Sequence, residues 1–159
     1  MTEEQRVALV SGGNRGIGLE IVRQLAGQGY TVILGSRDEE QGRSAAEGIE
    51  GEIVVRQLDV ADAKSVDRLG SSIDEEFGRL DVLVNNAGIS NDDGQRGTDA
   101  DLDLVREALE ANFLGAWRLS QVAIPLMRKN GYGRIVNISS GLGALEDMGG
   151  GSPAYRVSK

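Results

Sequence analysis

Histidine and cysteine are both absent from the 159 residues. Without cysteine there is no disulfide framework and no thiolate metal site. Without histidine the commonest metal ligand, the usual general base and every Ser-His-Asp mechanism drop out. Acid–base chemistry near neutral pH must come from another side chain in a special setting. Proline is scarce, so this is no Pro-rich disordered linker. No apolar run approaches the ~20 residues of a membrane-spanning helix. Anionic residues predominate and the net charge is −8, which argues against non-specific binding to nucleic acid or anionic membranes. The opening "MTEEQR" is polar and partly acidic, unlike a signal peptide. A cytoplasmic protein is expected.

What is abundant is glycine, with 23 residues, set among alternating short apolar runs and helical stripes. "VALV" (Val7–Val10), "TVIL" (Thr31–Leu34), "EIVVRQL" (Glu52–Leu58), "LDVLV" (Leu80–Val84) and "RIVNI" (Arg134–Ile138) read as five strands. Between them, Ile17, Ile21, Val22 and Leu25 recur at helical spacing, with Gly29 as a stop. Glu39–Ile49 reads as a polar helix, and Val66, Leu69, Ile73 and Phe77 as a helical stripe. Asp101–Met127 reads as one or two helices with Leu102, Val105, Leu109, Phe113, Trp117 and Val122 on the buried side. Ser152-Pro153 reads as the N-cap and first turn of a last helix. Such alternation predicts an α/β fold, a doubly wound parallel sheet of Rossmann type covered on both faces. No repeat or domain linker interrupts it. Asn91–Ala100 and Gly141–Gly151 lack periodicity and are expected to be irregular.

Four stretches carry chemistry. After the first strand comes "SGGNRGIG", with Gly12, Gly16 and Gly18 where strand becomes helix. Residues without side chains let a pyrophosphate approach the helix N-terminus, whose dipole and free N–H groups favour an anion. Asn14, Arg15 and Ile17 lie inside the same turn. The second strand ends in "GSRD", where this fold meets the adenosine ribose. Arg37 there, with Arg15 nearby, matches a dianionic 2′-phosphate and favours NADP over NAD. Asp38 behind it competes, since a carboxylate can accept from a ribose 2′-hydroxyl.

At the other end, "YRVSK" places Tyr155 and Lys159 four residues apart, on one helix face. A phenol ionises near pH ~10, and a neighbouring ammonium stabilises phenolate. That pair can give a proton to a carbonyl oxygen, or take one from an alcohol. Tyr-x-x-x-Lys alone is weak, because the two residues meet at this spacing on many ordinary helices. "NISSGLG" strengthens it: Ser139 and Ser140 end the fifth strand, at the sheet edge where ligands bind. A serine hydroxyl can donate to the same carbonyl oxygen.

In order, "SGGNRGIG", "LDV", "LDVLVNNAG", "ANFLGA", "GRIVNISSGLG" and "YRVSK" resemble the short-chain dehydrogenase/reductase family, with a tilt to its carbonyl-reductase-like members. The resemblance implies that Asp59, with Val60 beside it, holds the adenine amino group. It implies that Asn86, Ala87 and Gly88 line the adenosine side and support the sheet. Asn112 would be the catalytic asparagine that orders a water toward the lysine, and Ser140 the catalytic serine. Tyr155 would be the general acid/base; Lys159 would assist it and bond the nicotinamide ribose. Ser11 replaces the usual threonine but keeps the hydroxyl. The family continues past its lysine with further strands and a substrate loop, so residues 1–159 are expected to be the N-terminal part of one longer domain.

The implied function is NADPH-dependent reduction of an aldehyde or ketone, or the reverse alcohol oxidation, with no metal. No nucleic acid or membrane partner is expected. A homo-oligomer is, because the Asp101–Met127 helices can present a packing face. The alternative is a non-catalytic dinucleotide-binding module or sensor. A methyltransferase using the glycine turn explains neither "NNAG" nor "YRVSK".

Overall fold

The computed structural model of the chain describes residues 5–147 and 149–159. Strands β1 (Val7–Ser11), β2 (Thr31–Ser36), β3 (Glu52–Gln57), β4 (Val82–Asn85) and β5 (Arg134–Asn137) form one parallel sheet in the order β3-β2-β1-β4-β5. Helices α1 (Gly16–Gly27), α2 (Glu39–Ala46), α3 (Ala63–Glu76), α4 (Leu102–Ala108), α5 (Gly115–Lys129) and α6 (Pro153–Ser158) alternate with them. The α/β reading and all five strands hold.

Side chains alternate across the central strands, as strand pleating requires. On one face Val7, Leu9, Ile33 and Leu83 pack with Val66, Leu69 and Ile73 of α3 and Leu119, Ala123 and Leu126 of α5. On the other, Ala8, Val10, Val32, Leu34, Val82 and Val84 pack with Val22 and Ala26 of α1. Residues of β1, β2 and β4 are buried throughout, as expected of parallel strands covered on both sides. The edge strand β5 departs from this: Ile135 and Val136 are 37% and 45% exposed. Among the described residues no helix is long and apolar enough to cross a membrane.

Strand order reverses between β1 and β4, so a crevice opens above their carboxyl ends. Both "SGGNRGIG" and "NNAG" leave the sheet there. At the opposite end, fully buried Asp81 accepts from Val7 N (2.8 Å) and from Arg79 through Nε (2.9 Å) and Nη2 (2.8 Å). Truncating one side of a buried charge pair costs about 3–5 kcal/mol. Asp81→Ala should lower the urea midpoint of the complete protein by a corresponding amount at an unchanged slope. An unchanged midpoint would show that the pair contributes nothing net.

The helical hairpin after β4 corrects the sequence reading. Between α4 and α5 the chain winds as a π-helix over Leu109–Leu114, so the three segments run continuously. Leu102, Phe113 and Trp117, expected to be buried, are 62%, 48% and 56% exposed. The wide turn adds a residue to the winding, so one stripe cannot stay in phase across it. The inward side is instead built from Ala108, Ala111, Asn112 and Gly115. A Cβ on Gly115 would stand 2.9 Å from Val60, so small residues let this helix sit close. Helix α2 also stops earlier than expected, at Ala46, because Glu47 leaves helical geometry and Gly48 has φ +77°.

Candidate functional site

The glycine turn is fixed from below by β4. Ser11 Oγ accepts from the backbone N–H of Asn86 and of Ala87 (both 3.0 Å) and donates to Val84 O (3.3 Å). Asn86 Nδ2 donates to Ser11 O and Gly12 O, both at 3.0 Å. Gly18 leaves no room above them: a Cβ there would overlap Gly12 O and Asn86 Nδ2. Gly12 and Gly16 adopt φ +64° and +54°, a region that L side chains rarely enter. Asn85 is buried and no turn residue; its Nδ2 donates to Asn137 Oδ1 (2.8 Å) across β4 and β5 and to Ser120 Oγ (3.3 Å). Two adjacent asparagines therefore do separate jobs, one tying strands and one tying loops.

Helix α1 begins at Gly16 without a side-chain cap, so its first N–H groups face outward unpaired by any such cap. Where a Cβ on Gly16 would stand there is open space. The crevice in front holds a cavity of about 1110 Å³. Gly12, Asn14, Arg15, Gly16, Ile17 and Gly18 line one wall, Arg37, Asp59 and Val60 the second, and Asn86, Ala87 and Gly88 the third. Ile17, read as part of the α1 apolar stripe, is 65% exposed at this wall. An uncapped helix end, an open glycine and a cavity of this size fit a dinucleotide.

Beside β2, Asp38 caps α2, its Oδ1 accepting from Glu40 N (2.9 Å) and Gln41 N (3.1 Å) and its Oδ2 from Gln41 Nε2 (3.2 Å). Arg15 and Arg37 are exposed at the cavity and, among the described residues, make no ion pair. Asp59 Oδ1 accepts from Ala61 N at 3.0 Å. Sequence reasoning missed Gln41, Ile89, Arg106, Glu107 and Glu110, which also border the cavity. No local signal marks the last three; they arrive only because α4 and the π-helix lean over the crevice.

Gly88 joins this cavity to the remaining candidates. A Cβ on it would be 3.1 Å from Asn112 Oδ1 and 3.7 Å from Lys159 Nζ. Asn112, buried in the π-helix, accepts from Ile89 N (2.7 Å) and donates to Ile89 O (2.9 Å) and Ser158 Oγ (2.8 Å). Both amide hydrogens are thus spent on protein groups. Lys159 Nζ donates to Ile138 O (2.6 Å) and lies 5.9 Å from the Tyr155 ring centroid. The Tyr155 hydroxyl has no hydrogen-bond partner among the described residues.

Ser140 Oγ accepts from Leu142 N (3.2 Å), which leaves its hydrogen free to donate. Ser139 instead donates to Lys159 O at 3.1 Å. None of the quartet Asn112, Ser140, Tyr155 and Lys159 borders the cavity itself. Of the four, Asn112 and Lys159 stand behind its Gly88 wall.

The last helix is capped differently from the sequence reading. Ser152 occupies the N-cap position in left-handed conformation (φ 48°) and makes no side-chain cap. Its hydroxyl donates to Asp93 Oδ1 (3.4 Å), while buried Asp92 Oδ2 accepts from Ala154 N (2.6 Å). The loop after β4 therefore supplies the cap from 62 residues away. Gly141–Gly143 and Leu145–Asp147, expected to be irregular, form single 3₁₀ turns.

The family model described as short chain dehydrogenase matches residues 6–159. The chain belongs to that family. Among curated short-chain dehydrogenases it is similar to (+)-neomenthol dehydrogenase of Arabidopsis thaliana, 38% identical over 92% of this chain and 57% of that protein. It is also similar to (−)-isopiperitenone reductase of Mentha piperita, 37% identical over 91% of this chain and 60% of that protein. The crystal structure of a metagenomic short-chain oxidoreductase in complex with NADP superimposes with a TM-score of 0.86 at 31% identity, covering 97% of this chain and 70% of that one. This short-chain dehydrogenase chain spans less than two thirds of the length of those curated relatives.

Proposed function

We propose that the complete protein is an NADPH-dependent reductase of small aldehydes or ketones, reversible to alcohol oxidation with NADP. The observation that carries this reading is the shared Gly88 wall. On one side lies a dinucleotide-sized cavity, and on the other lie Asn112 and Lys159. NADPH, held along Gly12–Gly18 and by Arg37, would supply hydride for the carbonyl carbon. The chain's own residues then manage the oxygen. Tyr155 gives it a proton from a hydroxyl that is free of hydrogen-bond partners among the described residues. Ser140, its lone pair engaged by Leu142 N, donates a hydrogen bond to the same oxygen. Lys159, on the same helix face, favours the charge that develops on the phenol oxygen as its proton leaves. Asn112 braces the assembly through Ile89 and Ser158.

Steady NADPH oxidation by the complete protein with a panel of aldehydes, ketones and quinones tests this. Tight NADPH binding with no oxidation across the panel would make the protein a binding module instead.

The cofactor preference follows from charge. Asp38 is engaged with α2, whereas Arg15 and Arg37 border the cavity and, among the described residues, make no ion pair. A charge-assisted hydrogen bond contributes about 1.5–3 kcal/mol. Arg37→Ala should therefore weaken NADPH binding by about 10- to 100-fold and leave NADH affinity within about twofold. Equal losses for both cofactors would contradict the preference for NADP. We also propose self-association through the Asp101–Met127 helices, where Phe113 of the π-helix and Trp117 of α5 form an exposed edge-to-face pair at 5.7 Å.

A further inference from the structure

Arg156 follows the proposed proton donor in the chain, yet its side chain turns away from the cavity and spends itself on a single loop. Its Nε donates to Gly151 O (2.8 Å), Nη1 to Leu142 O (3.1 Å) and Asp147 O (3.3 Å), and Nη2 to Gly150 O (3.3 Å). Four carbonyls from both ends of the segment between β5 and α6 converge on one guanidinium. It makes no ion pair with a carboxylate among the described residues. The planar fork suits this task, since it fixes the directions of several donors at once.

One of these carbonyls matters for the proposed chemistry. Leu142 is held on both sides: its N–H donates to Ser140 Oγ and its C=O accepts from Arg156. Gly143 N also donates to Ser140 O at 3.0 Å. Position is thereby transmitted from α6, through Leu142, to the Ser140 hydroxyl. On the near side of that turn Ser139 Oγ donates to Lys159 O, and its far end packs closely through Gly143 against Lys159. We infer that Arg156 is a positioning residue: its guanidinium, bonded to the carbonyls of Leu142, Asp147, Gly150 and Gly151, sets the place of Ser140 relative to Tyr155. This inference rests on the reductase reading for its catalytic consequence, though the staple itself does not.

The test compares Arg156→Ala and Arg156→Lys with wild type in the complete protein. Amide hydrogen exchange reports the loop directly. Arg156→Ala should speed exchange at Leu142, Gly143 and Ala144 by about tenfold or more, and Arg156→Lys should restore it only in part, because an ammonium is a point donor. NADPH affinity should stay within about twofold, since Arg156 does not border the cavity. With 9,10-phenanthrenequinone as the probe carbonyl, kcat should fall about tenfold. Wild-type exchange rates in Arg156→Ala, or full recovery of kcat by lysine, would overturn the inference. If wild type itself fails to oxidise NADPH with any carbonyl, the reductase reading fails while the exchange comparison still decides the staple.

Discussion

Tyr155→Phe should leave NADPH affinity unchanged and slow carbonyl reduction by about a thousandfold. The variant removes one oxygen, and that oxygen has no hydrogen-bond partner among the described residues. No buried group is therefore left unsatisfied, and the ring keeps its place 5.9 Å from Lys159 Nζ. What is lost is the proposed proton donor, a group worth about 10²–10⁴ in rate when well placed. Ser140 cannot replace it, because an aliphatic hydroxyl gives up its proton far less readily than a phenol. Single-turnover and steady-state rates with the same carbonyl panel check the expectation. A Tyr155→Phe enzyme within about tenfold of wild type would remove Tyr155 from the chemistry.

Gly18→Ala should abolish measurable NADPH binding, with an affinity loss of about a hundredfold or more. The added methyl would overlap the Gly12 carbonyl oxygen and the Asn86 amide. Neither neighbour can yield easily: one is backbone, and the other is held by Ser11 O and Gly12 O. Relief requires the turn and the loop after β4 to part, which reshapes two cavity walls together. Overpacking of this kind also costs about 1–3 kcal/mol of stability. Gly27→Ala serves as the control: it lies at the end of the same helix with open space around a Cβ, and should bind NADPH normally. Titration of NADPH fluorescence distinguishes the two. Wild-type affinity in Gly18→Ala would mean that the junction is soft.

The strands were legible because short runs of apolar and β-branched residues are local properties, and all five stand within two residues of the ends that "VALV", "TVIL", "EIVVRQL", "LDVLV" and "RIVNI" predict. The glycine turn was legible for a related reason: positive φ at Gly12 and Gly16 leaves few other residue choices. The helix after β4 was misread because its burial depends on a change of winding. Phe113 and Trp117 look like core residues by type, but the π-helix turns them outward. Ser152 does stand at the N-cap of α6 with Pro153 in its first turn, but the side chain that caps it is Asp92, which is remote in sequence and meets Ala154 only after folding. Ser11 was read only as a conservative change, yet its hydroxyl makes three bonds that hold "NNAG" under the turn. Arg156 carried no signal at all, since its partners are backbone carbonyls of a glycine-rich segment.

The wide turn at Leu109–Leu114 has a bearing on how such sequences diverge. Deleting one residue from a regular helix rotates everything beyond it by about 100°. Here the surplus residue is already stored in the turn, so a deletion would let the rod relax to ordinary winding. The amide of Asn112 would then swing off Ile89 and Ser158. Loss of that single codon would leave the glycine turn of the cavity in place while uncoupling Asn112 from the loop after β4 and from the last helix.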